Sequence, residues 1–242
     1  MIRKAILFTL LSFLCAVSAP QAQIITFDDP DLSAWRVDRG ATLDMQVVSF
    51  DGDNRLQINI GPPKPEESFY TYQGYAHQVD GKFPTSSIYG DLYLDSQWDH
   101  ANVGIWGVVR KPQESTLAYP LLAWQTGPDT EAGFYTWNTF EGRWDLVSQA
   151  DYALDAWHTI RMTHTDDTMS YYVDENLIYT QDLYDYAGWE LQSIILNSRN
   201  YGNSYTAMWD NVGTAPTPTP EPSTMALMTL GFAGVFFWKR RR

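Results

Sequence analysis

The chain has 242 residues, 44% of them hydrophobic and 15% aromatic, with a formal net charge of −13. Its one cysteine, Cys15, lies in the N-terminal apolar run, so thiol catalysis, cysteine metal sites and disulfides are excluded for the rest of the chain. Six of the 16 Lys and Arg residues but only one of the 29 acids lie in the terminal segments, which leaves about −18 between them, a poor surface for nucleic acid or anionic lipid.

Taken in order, the chain starts with a positive Arg3-Lys4 pair, an apolar stretch from Ala5 to Val17 and a small-residue zone from Ser18 to Ala22. That order predicts a secretory signal peptide over 1–22, helical in its apolar part and cut after Ala22. From 23 to 213 no helical periodicity of useful length appears. Short alternating runs rich in Val, Ile, Tyr, Trp and Thr are separated by Gly, Pro, Asn and Asp clusters, which predicts an all-β sandwich.

Strands are expected at Ile24–Phe27, Ala34–Val37, Thr42–Ser49 and Arg55–Ile60, with a tight turn at Asp51-Gly52-Asp53-Asn54. A fifth is expected at Ser68–Gln73. Ser86–Asp95 alternates: Ile88, Gly90, Leu92 and Leu94 share one face, and Tyr89, Asp91, Tyr93 and Asp95 the other. Asn102–Val109 is nearly all apolar, as a strand buried on both faces would be. Tyr119–Gln125, Gly133–Trp137 and Arg143–Val147 follow. A meander is expected at Trp157–His164, Met169–Asp174 and Leu177–Thr180, and Ile194–Asn197 and Thr206–Val212 close the domain.

The meander resembles the laminin-G and concanavalin-A-like jelly rolls, on Trp157, His158, Ile160, Tyr172, Val173 and Asp174. The final Trp209-Asp210-Asn211-Val212 resembles their last strand. The resemblance implies a two-sheet antiparallel jelly-roll sandwich and says little about activity.

A Thr/Pro linker at 214–219 is extended and stiff, with prolines at 216, 218 and 220. After it come Pro220-Glu221-Pro222, an apolar run from Met225 to Trp238 read as a transmembrane helix, and Lys239-Arg240-Arg241-Arg242. The basic end favours the cytoplasmic side. The three parts over 220–242 resemble the PEP-CTERM sorting signal of Gram-negative envelope and biofilm proteins. The resemblance implies secretion across the inner membrane, transient anchoring there, recognition by an exosortase and release to the cell surface or medium. A plain membrane anchor is the alternative; the run is shorter than the roughly 20 apolar residues of a full span.

Glycosidases of the jelly-roll fold use paired carboxylates on one strand, and the usual Glu-x-Asp-x-x-Glu spacing is absent. The nearest acids are Glu131, in phase with Gly133, Tyr135 and Trp137, and Glu141 in the next turn, with Asp145 beyond; a pair about 5–9 Å apart is what glycoside hydrolysis needs. The histidines 77, 100, 158 and 164 read as structural. Oxygen-rich turns at Asp28-Asp29 and Asp51-Gly52-Asp53 are candidates for a structural Ca²⁺, though neither matches an EF-hand loop. No other cofactor is expected. Trp124, Tyr135, Trp137 and Trp144 cluster around one hairpin and are the candidate saccharide-binding face, since planar rings pack on pyranose faces.

The sequence therefore predicts a non-enzymatic, exosortase-sorted envelope or matrix protein that binds glycan, with exopolysaccharide as partner. A glycosidase or polysaccharide lyase on the same fold, and a purely structural surface protein, stay open as alternatives.

Overall fold

The computed structural model describes residues 23–40, 42–61, 71–79, 87–111, 117–138, 141–149, 151–164, 168–182 and 190–215. The expected signal helix, the Pro-Glu-Pro triplet, the membrane helix and the basic cluster lie outside these residues.

The described chain forms strands only: β1 Gln23–Ile25, β2 Trp35–Arg39, β3 Asp44–Phe50, β4 Asp53–Ile60, β5 Tyr72–Gln78, β6 Ser87–Leu94, β7 Ala101–Arg110 and β8 Leu117–Ala118. After these come β9 Leu121–Gly127, β10 Thr130–Asn138, β11 Arg143–Ser148, β12 Ala156–His164, β13 Thr168–Val173, β14 Asn176–Asp182, β15 Glu190–Arg199 and β16 Tyr205–Ala215. They pair antiparallel into two sheets. Sheet A runs β14-β13-β12-β6-β16-β4-β3, with β1 added beside β16; sheet B runs β11-β10-β9-β7-β15-β5-β2, with β8 added beside β7. The sheets form a sandwich, and the core lies between their inner faces.

Local chemistry fixes several joints. Asp51 and Gly52 between β3 and β4, and Asp174 and Glu175 between β13 and β14, all have positive φ. A pair of left-handed residues is what a two-residue turn needs to match strand twist. Asp174 also braces the turn from outside: it accepts from the Thr159 amide at 3.0 Å and meets His158 Nδ1 at 2.7 Å. His158 is buried, and its Nε2 lies 2.8 Å from the Ala153 carbonyl. This histidine ties the meander together.

The alternation expected of β6 is observed. Ile88, Leu92 and Leu94 enter the core, while Tyr89, Asp91 and Tyr93 face out. β7, buried along nearly its whole length, is the middle strand of the seven-strand path in sheet B. Ala101, Val103, Ile105 and Val109 point to the core, packed against Leu122, Trp124, Phe134, Ile194 and Leu196. A second, smaller apolar cluster lies on the other side of the same sheet: Trp106, Leu121, Ala123 and Ile195, flanked by Tyr72, Ala76, Val108, Trp137 and Trp144.

Some bounds differ from expectation: β16 runs on through Thr214 and Ala215, the first residues of the expected linker, and of the strand expected at Ser68–Gln73 residues 68–70 lie outside the described ones. β5 begins at Tyr72 and runs through Gly74, Ala76 and His77. Gly and Ala are poor strand formers, so propensity favoured the aromatic stretch before them. Pairing on both edges, with β15 and with β2, overrides that preference.

Candidate functional site

The outer face of sheet B is built from three rows of residues that run across the strands. The middle row reads Asp38 (β2), Gly74 (β5), Asn197 (β15), Gly104 (β7), Ala123 (β9) and Tyr135 (β10), each opposite the next in register. Small residues occupy three of its four central positions. A Cβ on Gly74 would lie 2.2 Å from the Leu196 carbonyl oxygen, and one on Gly104 would lie 2.5 Å from the Ala123 Cβ. The strands therefore meet too closely there for larger residues.

On one side stands Arg36, Ala76, Ile195, Trp106 and Leu121, with Trp137 and Trp144 paired beyond. On the other stand Tyr72, Arg199, Asn102 and Gln125. Residues two apart on a strand are separated by about 6.8 Å, so a floor of small residues lies between an aromatic wall and an amide wall about 13 Å apart. This is a groove across the strands.

Its polar groups are unusual. Asn197 is only 2% exposed, and neither its Nδ2 nor its Oδ1 has a hydrogen-bond partner. Asn102 Nδ2, Gln125 Nε2 and Trp106 Nε1 are buried and unpartnered as well. Each such group costs about 1–3 kcal/mol if left unmet. Four such groups stand together along these rows.

The aromatic groups are held edge to face. Tyr72 and Trp106 have ring centroids 5.6 Å apart, and Trp137 and Trp144 5.7 Å apart. The Arg39 guanidinium covers Trp106 at 4.4 Å. Arg39 reaches this wall from an edge strand because its backbone has φ 56°. Tyr201, in the loop after β15, stacks on His100 at 3.6 Å and lies under Arg199 at 4.8 Å. Burial pushes the Tyr201 phenol up, with the charge of Arg199 acting against it. Asp38 is the acid of the middle row. Burial raises its carboxyl above the usual range, against the opposing pull of Arg39, with which it forms an ion pair.

The structure brings together only part of the set singled out from sequence. Tyr135, Trp137 and Trp144 share the outer face. Trp124 does not: it is in register with the core-facing Phe134 and packs on that ring at 5.2 Å inside the sandwich. Glu131 and Glu141 cannot form a catalytic pair. Glu131 lies at the start of β10 and Glu141 beyond its end, and the seven steps from Glu131 to Asn138 alone span about 24 Å of extended strand. Glu141 is paired with Arg143 at 2.6 Å. Asp145, the further acid, is held below the carboxylate range by Asn138, with Arg143 adding to the effect.

The calcium candidates fall in separate turns. Asp28 accepts from Thr26 Oγ1 at 2.7 Å, Asp29 accepts from the Asp31 amide at 3.0 Å, and Asp53 binds the Asn54 amide at 2.8 Å and Arg55 at 3.0 Å. Among the described residues no group of three or more His, Cys, Asp or Glu is arranged to hold a metal ion. A cleft lined by Ile88, Val109, Met162, Met169 and Leu191 is apolar apart from Ser87 and His164.

Sequence reading missed Asn102, Gln125, Asn197, Arg199 and Trp106. The signal was present in part: Asn102-x-Gly104-x-Trp106 puts an amide, a gap and an indole on one face of a strand. Nothing local marks Asn197 as its neighbour.

Residues 218–242 match the PEP-CTERM protein-sorting motif. The chain carries a PEP-CTERM sorting motif. It is thus an exosortase-sorted, secreted protein of Gram-negative type, processed on its passage through the membrane. No curated protein matches the chain. Solved structures match its fold. An endo-1,3-beta-glucanase (laminarinase) catalytic domain from Thermotoga petrophila RKU-1 is 11% identical with a TM-score of 0.57, covering 81% of this chain and 99% of that one. A glycoside hydrolase family 16 endo-glucanase from Bacteroides ovatus is 10% identical with a TM-score of 0.57, covering 80% and 99%. A structure described as a native glycosidic hydrolase is 15% identical with a TM-score of 0.54, covering 82% and 97%.

These likenesses bear out the jelly-roll fold. They also correct the expectation of a non-enzymatic domain, because the neighbours named are all glycoside hydrolases and the PEP-CTERM chain has their fold.

Proposed function

We propose that this PEP-CTERM protein is a carbohydrate-active domain delivered to the cell surface, where its groove across sheet B holds a glycan chain and acts on it. The observation that carries the reading is Asn197: a buried amide with both polar atoms unpartnered, on a groove floor of small residues between aromatic and amide walls. Amides match vicinal sugar hydroxyls as paired donors and acceptors, and the rings of Trp106, Trp137 and Trp144 match the apolar faces of the sugars. The likeness to glycoside hydrolases supports the same reading.

Asp38 is the candidate acid. It stands in the middle row in register with Gly74, where a carboxyl can meet a leaving oxygen, the role that glycoside hydrolysis gives to one of its carboxyl groups. The extracellular polysaccharide of the producing cell is the natural partner for a surface-sorted domain of this kind.

The test uses the processed, secreted protein and a panel of polysaccharides, with retention in affinity electrophoresis and release of reducing or unsaturated ends as readouts. Asn197→Leu is expected to abolish binding, and Asp38→Asn to leave binding and remove turnover. Absence of retention on every polysaccharide would sink the groove reading. Turnover unchanged in Asp38→Asn would remove that residue from the chemistry.

A further inference from the structure

The groove is opposite in charge to the domain that carries it. The chain between the terminal segments has a net charge of about −18. Yet the described charged side chains along the three rows and over Trp106 are Arg36, Arg39 and Arg199, against Asp38 alone. Asp38 is already engaged by Arg39. Asp99, before β7, and Asp129 and Glu131, in the β9–β10 region, are exposed and outside the rows.

Arg199 is the informative cation. It lies in register with Tyr72 on one side and Asn102 on the other. Its guanidinium is held by ring faces, 5.5 Å from Tyr72 and 4.8 Å from Tyr201. Among the described residues it has no carboxylate partner, and its Nε is buried with no hydrogen bond. A partly buried cation without a counter-charge is unfavourable, and in a chain with so many acids a carboxylate partner was easy to supply. Cation–π contacts hold the guanidinium in place without neutralising it. Next to it, Asn102 Nδ2, Gln125 Nε2 and both polar atoms of Asn197 are unpartnered. One wall thus offers two unmet amide N–H groups and a planar cation whose Nε is unmet, and the floor offers both polar atoms of Asn197.

We infer that the groove takes a glycan bearing anionic substituents, carboxylate or sulfate, and that Arg199 is the residue that reads the charge. This rests on the groove being the glycan site and adds the class of sugar. Guanidinium matches a carboxylate or sulfate by paired, charge-assisted hydrogen bonds. Asn102 and Gln125 are placed to donate to the same substituent or to its ring hydroxyls. A neutral glycan would leave the Arg199 charge unmet.

The experiment compares chains that differ in charge alone. Polygalacturonate is set against its fully methyl-esterified form, and sulfated dextran against plain dextran, with affinity measured by titration calorimetry on the processed protein. The acid form is expected to bind roughly tenfold to a hundredfold tighter than the ester, the range of a charge-assisted hydrogen bond. Arg199→Gln is expected to lower affinity for the acid form far more than for the ester and so erase that preference, and Arg199→Lys to keep part of it. A preference confined to polygalacturonate assigns the site to carboxylated sugars, and one confined to sulfated dextran assigns it to sulfated sugars. Equal binding of charged and uncharged partners, or an equal loss for both in Arg199→Gln, overturns the inference while the groove reading stands. No binding to any of the four overturns both. Melting temperatures of each variant separate lost binding from lost fold.

Discussion

The outer faces of the two sheets dispose of their polar groups in opposite ways. On sheet A, Asp91 accepts from Thr159 Oγ1 at 2.6 Å and from Asn211 Nδ2 at 2.7 Å, Asp210 pairs with Arg55, and Arg161 reaches Glu175 at 2.7 Å while covering Tyr172. Asn211 takes a positive φ at an irregularity in β16, which turns its amide onto both aspartates. Apart from the indole N–H of Trp157, the unpartnered atoms there, Arg55 Nε, Arg161 Nε and Asp210 Oδ1, belong to groups bonded through another atom. On sheet B the amide of Asn197 is bonded through none. One face is closed on itself and serves stability; the other keeps buried amide atoms unmet, as the proposed glycan groove requires.

This contrast can be broken in order of expected effect. Asp210→Ala leaves the Arg55 guanidinium, 16% exposed, without its buried partner. It is expected to cost about 3 kcal/mol in urea unfolding without altering glycan affinity. Gly104→Ala forces β7 and β9 apart at the groove floor and is expected to cost about 1–3 kcal/mol and to weaken binding as well. Asn197→Leu should do the reverse to stability. Removing an unmet buried amide is expected to raise stability by about 1 kcal/mol while binding is lost. The matched change on sheet A, Thr159→Val, should lower stability by about the same amount. If both substitutions moved stability the same way, the contrast between the faces would fail.

Trp144→Ala is expected to lower glycan affinity by about 0.5–1.5 kcal/mol, read by calorimetry, since one ring of an aromatic pair is removed. The smallest effect is on pH dependence. Burial raises the Asp38 carboxyl above its value in the unfolded chain. Between the two values the folded state binds more protons, so its stability falls as pH rises through that window, just above the model-peptide value of 3.8. Asp38→Asn should flatten that part of the curve in unfolding measured across pH.

Much of the fold was legible beforehand because sandwich strands alternate with period two. β6 and β13 show their inner and outer residues directly, and the Asp51-Gly52 and Asp174-Glu175 turns carry residues suited to left-handed backbone. The candidate site was legible only at its edge. Tyr135, Trp137 and Trp144 stood out as aromatics near one hairpin, but period two cannot say which face of a strand is the core. Trp124 therefore went to the wrong side. The acids were misjudged for another reason: nearness in sequence says little about distance when extended strand lies between, as most of β10 lies between Glu131 and Glu141.

By itself the sequence determined where this protein goes and what kind of fold travels there. The sorting segment is read by its linear order of Pro-Glu-Pro, apolar run and basic end, and alternation is a local property of each strand. Only the tertiary structure decided the site. Gly74, Asn197, Gly104 and Ala123 come from four strands far apart in the chain, and they form a floor solely because β5, β15, β7 and β9 lie side by side in register. An unmet amide or an uncompensated arginine is a statement about neighbours, and the sheet pairing supplies the neighbours.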